Sequence, residues 1–177
     1  MNTPSEYWKS VKANYPDMPS VEALSKVAFS HNGKDGWNES DDLNAEFREL
    51  VVEEMFNDRN FTFPEMIRFL LREEIRFCRQ VTTSTETLRQ LTFMLFLLNE
   101  LEDIPLLFEA KFDTSFDAGI GLDVELVFGF DKERTKAHFS SNPHPEYDIV
   151  SKIEDYKRYE ARNAEQFIAS LNGYYGR

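Results

Sequence analysis

The chain has 177 residues, with 32 acidic against 20 basic side chains for a formal charge of −12, and 16 phenylalanines. Such aromatic content excludes an acidic disordered tail, which lacks the bulk to build a core, and the length suits a single domain over 1–177. A charge of −12 repels phosphate backbones and anionic lipid, so neither nucleic acid nor a membrane is an expected direct partner.

Residues 1–30 predict two short helices broken at Pro16 and Pro19, the second with Val21, Leu24, Val27 and Ala28 at helical spacing. A glycine-bearing loop follows over 30–41. The next helix starts near Asp42, with Asp41 or Asp42 as its N-cap and Leu43, Phe47, Leu50, Val51 and Met55 on one face. Thr62 and Glu65 match a capping box, and Pro64 sits in the first turn, where its missing N–H costs nothing. That helix runs to about Gln80 and buries Met66, Ile67, Leu70, Leu71, Ile75 and Cys78. A second box, Thr83 with Glu86, opens the most apolar helix, through Leu88, Leu91, Leu95, Leu98 and Leu101. Its run Phe93–Leu98 is far short of the roughly 20 apolar residues of a membrane span, so it predicts a core helix.

Asp103 and Pro105 mark another helix start. Ile120, Leu122, Val124, Leu126, Phe128 and Phe130 alternate like a strand, while Gly119, Gly121 and Gly129 bracket the run like a short buried helix. The helix is preferred, because its neighbours are helical and a lone hairpin around 106–130 would lack sheet partners. Asp131 caps a helix over Lys132–Phe139, and 140–145 is a linker. Glu146–Asn172 reads as one helix or two, breaking near Arg162–Asn163 and ending at Gly173. The predicted fold is all-α: roughly seven to nine helices stacked as antiparallel hairpins. The alternative is α+β with that hairpin. The N-terminal Met1–Lys9 has no apolar signal core, and a single thiol suits a reducing compartment, so a cytoplasmic location is expected.

Chemistry-bearing motifs are sparse. His31–Asp42 places Asp35-Gly36 at the turn of a calcium loop, but His31, Gly33 and Asp42 then stand at the wrong ligand positions, so a plain surface loop is expected. His31, His138 and His144 have no Glu three residues before them and form no His-Glu-x-x-His. There is no nucleophile elbow and no phosphate-cradling glycine loop. The lone cysteine, Cys78, excludes an internal disulfide and a Cys-based zinc cluster, and its apolar helix face suits packing better than reactivity. No cofactor, metal or catalytic residue is assigned.

Charge is the stronger signal. Residues 35–58 hold nine acids and one base, Arg48, for −8; residues 100–131 hold nine acids and one base, Lys111, again for −8. Between them, 59–89 holds six arginines and four glutamates, for +2. Within it Arg68, Arg72, Arg76 and Arg79 recur along one helical face. They form either an anion-binding stripe, as guanidinium forks allow, or the internal partners of Glu46, Glu49 and Glu53 on the preceding helix. The carboxylates Glu46, Glu49 and Glu53 on one helical stripe, and Asp113, Asp117, Asp123 and Glu125 in the glycine-bearing segment, are in turn a solvated face, a docking surface for a basic partner (Glu125 aside), or groups for metal or acid–base work.

The stretch Phe108–Gly129, with its Glu109-Ala110-Lys111, Phe116-Asp117 and Gly121-Leu122-Asp123 elements, resembles a segment of small bacterial helical proteins. The resemblance covers 22 of the 177 residues and implies a helical fold around 120–130. Some small acidic helical proteins of this kind act as immunity or antitoxin partners. The expected function is therefore a non-enzymatic, acidic protein-interaction module, in concrete form an immunity-type inhibitor of a basic toxin. The alternative is a small-anion binder or enzyme that uses the arginine stripe. Tyr174 and Tyr175 are expected to dock either on a second subunit or on the chain's own core, which leaves the oligomeric state open.

Overall fold

Proline and glycine positions divide this chain into short helices, and a computed structural model describes residues 3–35, 40–59, 61–80, 85–156 and 161–176. They form α1 (Pro4–Asn14), α2 (Val21–Leu24), α3 (Ala45–Asp58), α4 (Pro64–Gln80), α5 (Glu86–Leu97), α6 (Ile104–Phe112), α7 (Phe116–Ile120), α8 (Glu125–Phe128), α9 (Lys132–Ser141), α10 (Ile149–Asp155) and α11 (Ala164–Tyr174). A 3₁₀ turn, Leu101–Asp103, leads into α6. The fold is all-α, and among the described residues the one extended pairing is an isolated bridge from His31 to Asp42. No helix among the described residues is long and apolar enough to cross a membrane.

Local sequence explains most boundaries. Thr3 and Glu6 close a capping box on α1, with Pro4 in the first helical position. Asp131 accepts the N–H groups of Glu133 and Arg134 at the start of α9, as its position predicts. Asn163 and Gln166 close another box, so the last segment is two helices, with α11 running one residue past Gly173. Pro64 does open α4, and its first helical bond runs from the Ile67 N–H to the Phe63 carbonyl, which places Phe63 at the cap. Thr83 lies outside the described residues. The cap of α5 is Thr85, whose hydroxyl accepts the Leu88 N–H at 3.0 Å.

Residues 120–130 adopt the helical alternative. They hold the end of α7, a turn and α8, which Gly129 terminates at φ +65°, a left-handed conformation that glycine takes without strain. A Cβ on Gly129 would also lie 3.0 Å from Thr135 Oγ1, and that buried hydroxyl donates to the Phe128 carbonyl at 2.8 Å.

Buried apolar side chains from Tyr7 to Leu171 form one continuous cluster. At its centre is α5, which contributes Leu88, Leu91, Phe93, Met94, Leu95 and Phe96 and packs on α3, α4, α6 and α8. The pairs α4–α5 and α9–α10 are sequence neighbours, whereas α1 packs on α3 and α6 on α8, each skipping an element. Tyr175 docks on the chain's own core, 4.7 Å from Phe56 and stacked 6.2 Å from Phe93, while Tyr174 stays exposed.

Candidate functional site

Successive residues of a helix turn by about 100°, so the two sides of α3 follow from its sequence once one side is known to be buried. Arg48, Val51, Val52, Met55 and Phe56 are buried, and Glu46, Glu49, Leu50, Glu53 and Glu54 face out. This corrects the expected apolar face: Leu50 is 42% exposed, Leu43 before the helix is 70% exposed, and an arginine takes a core position in their stead.

Arg48 is fully buried, which only close carboxylates make tolerable. Its Nη1 meets Asp42 Oδ2 at 2.7 Å and its Nε meets Glu74 Oε2 at 2.8 Å. Glu74 also accepts from the Thr85 hydroxyl at 2.5 Å, and Asp42 Oδ1 accepts the N–H groups of Ser30 and Asn44. Burial pulls the Arg48 pKa down, but Glu74 and then Asp42 more than offset it, so the net shift is upward and the guanidinium stays charged. Asp42, expected as an N-cap, is thus an ionic anchor that ties the end of the 30–41 loop to α3 and α4. Asn44 holds the N-cap position without a side-chain bond to the helix; its amide reaches back to the Ser25 and Ala28 carbonyls.

The outer face of α3 has the opposite character. Leu50 sits amid Glu46, Glu49, Glu53 and Glu54, all four of which are exposed to solvent. Among the described residues, no ion pair reaches Glu46, Glu49 or Glu53.

The arginine stripe is mostly engaged internally, though not by α3. Arg68 forks onto Asp103, Nε to Oδ1 at 2.7 Å and Nη2 to Oδ2 at 3.0 Å, and also meets Glu65. Its pKa is raised, first by the hydrogen bond to Asp103. Arg76 pairs with Glu73, and Arg79 bridges Glu109 and Asp113 from α6 and the residue after it. Arg72 is exposed and makes no ion pair among the described residues; it lines an open cleft with Arg68, Glu100, Glu102 and Asp103. One free guanidinium beside three carboxylates is a poor anion site.

The second acidic set is divided. Asp113 is held by Arg79 at 2.5 Å and by the Tyr147 hydroxyl, and Asp123 by Arg162 at 2.7 Å, whereas Asp117 is exposed without an ion pair among the described residues. Arg162 also grips buried Glu125, Nε to Oε1 at 3.0 Å, tying α8 to the start of α11. Burial alone would raise the Glu125 pKa, but the Arg162 hydrogen bond leads the groups that hold it below the usual range. The sequence assigns neither Arg48 nor Arg162 a partner; for Arg48, its place as the lone base of a −8 block is a signal that an internal partner is needed, and Arg162, outside both blocks, carries none. Lys111, the other lone base, confirms the pattern: its Nζ donates to the Gly119 and Leu122 carbonyls at 2.8 and 2.6 Å.

The remaining candidates sit apart. His31 Nε2 lies 2.9 Å from the Ser40 hydroxyl; the calcium-like loop itself falls partly outside the described residues, at 36–39. His144 stacks on Tyr147, and His138 packs edge-on to Phe139. Cys78 is buried, and burial, followed by nearby Glu74, pushes its thiol up to about 12, so it has little thiolate character. No family model, curated protein or solved structure matches the chain.

Proposed function

We propose that the chain is a non-enzymatic interaction module whose α3 outer face docks on a basic protein partner. The observation that carries this reading is the contrast in charge pairing. Arg68, Arg76 and Arg79 are consumed by internal carboxylates, while Glu46, Glu49 and Glu53 are left exposed around Leu50 with no internal cation among the described residues. An apolar centre within a ring of one charge combines burial with steering and register, the division of labour found in specific interfaces. In concrete form the partner is a basic toxin, and this chain is the immunity-type inhibitor that covers its cationic cleft. Asp117 is the member of the second acidic set that also remains available, since Asp113 and Asp123 hold arginines.

The test is affinity capture with the full chain at low and high salt, followed by cross-linking to locate the contact. The expected outcome is a basic protein cross-linked on α3, released by salt, and lost on the triple change Glu46→Lys, Glu49→Lys, Glu53→Lys. A partner that binds the triple variant as tightly, or that is insensitive to salt, rejects the reading.

A further inference from the structure

Helix α7 inverts the usual distribution of size and burial. Its small residues Ala118 and Gly119 are buried, while its large apolar ones face out, Phe116 at 79% and Ile120 at 64% exposure. At a spacing of four these two share one face, and Asp117 stands beside them, exposed. We propose that this face is a second docking surface, for a protein segment that presents an apolar pair flanked by lysine or arginine.

Three observations support a built display rather than a loose loop. First, α7 is held from several directions: Ser115 caps it at Ala118, Lys111 ties down the Gly119 and Leu122 carbonyls, and Arg89 Nε donates to the Gly121 carbonyl at 3.2 Å. Gly119 is packed so closely that a Cβ there would fall 2.6 Å from the Lys111 carbonyl oxygen, so the helix sits against α6 in one position. Second, the end of α7 is linked to an exposed aromatic ring at the end of α11. Arg89 links the Gly121 carbonyl to the Tyr174 hydroxyl at 2.8 Å and lies against the ring, which is itself exposed. Third, the cations around α7 are engaged elsewhere: Arg79 on Glu109 and Asp113, Arg162 on Asp123 and Glu125, Arg89 on Glu86, and Lys111 on the Gly119 and Leu122 carbonyls. Asp117 thus stands next to the apolar pair without an ion pair among the described residues. A basic flank satisfies it, whereas a second copy of this chain would bring another Asp117 and another −12, and anionic lipid would be repelled likewise.

The surface shares Asp117 with the proposed function but none of α3, and the experiment keeps the two apart by using the full chain carrying Glu46→Gln, Glu49→Gln and Glu53→Gln. A displayed library of random helical peptides is selected on this protein. The expected winners carry an apolar pair with neighbouring Lys or Arg, and bind about tenfold more weakly after Phe116→Ala with Ile120→Ala. Asp117→Asn should reduce the salt dependence of that binding. Both changes are at exposed positions, so an unaltered melting temperature shows that the fold is intact. Failure to enrich such peptides, winners without basic residues, or equal binding to the double variant would each overturn the proposal. So would vesicle flotation or self-association in sedimentation that disappears with Phe116 and Ile120.

Discussion

The segments 35–58 and 100–131 carry the same net charge of −8, each with nine acids and one base, yet the fold uses them differently. In the second, much of the acid is absorbed: Asp103 holds Arg68, Glu109 and Asp113 hold Arg79, and Asp123 and Glu125 hold Arg162. In the first, Asp42 is drawn into the core with Arg48 and Asp58 at the end of α3 holds Lys12 and the Trp8 indole N–H of α1, while Glu46, Glu49 and Glu53 stay in water. Equal charge in sequence therefore divides into a set that joins helices and a set that remains free to meet something else.

That division is open to direct attack. The largest effect is expected at Arg48→Met, which leaves Asp42 and Glu74 buried without their cation. A loss of about 3–5 kcal/mol should appear in urea unfolding. Next is Glu125→Gln, which weakens the hold of Arg162 on α8 and costs about 1.5–3 kcal/mol at neutral pH, where the bond is charge-assisted. Because the folded Glu125 pKa lies below its unfolded value, its contribution is present above the ordinary glutamate pKa and is lost as pH falls through the lowered one. The stability gap between wild type and Glu125→Gln should accordingly narrow below about pH 4, as followed by unfolding across an acid series. The smallest effect belongs to Glu46→Gln, Glu49→Gln, Glu53→Gln together. Stability should move by about 0.5 kcal/mol or less, in the favourable direction as like charges along α3 are removed. Should this triple variant destabilise the fold as much as Glu125→Gln, the distinction between the two acidic segments would collapse.

Much of the fold was legible because helix boundaries depend on neighbours a few residues apart. The Asp131 cap, the Pro64 start, the break before Asn163 and the Gly129 stop are local chemistry. The face of α3 was misread for a related reason. Leu43, Phe47 and Leu50 form a reasonable apolar stripe by spacing, and nothing local reveals that Arg48 has two carboxylates waiting, Glu74 among them at 26 residues' distance. Pairing of the arginine stripe follows from sequence in kind but points there to α3, the nearest acids; besides Glu65 on its own helix, Arg68 meets Asp103, 35 residues further along, and Arg79 meets Asp113, 34 further along, and Glu109.

By itself, the sequence determined the all-α class, the helix punctuation, the buried run of α5 and the blockwise placement of charge, all consequences of short-range periodicity and capping. Only the tertiary structure decided which charges neutralise one another. An ion pair depends on a few ångströms between side chains that lie tens of residues apart, and periodicity carries no such distance. Packing alone therefore placed Arg48 inside, turned Arg162 and Lys111 onto partners within the chain, and left Glu46, Glu49, Glu53 and Asp117 facing out.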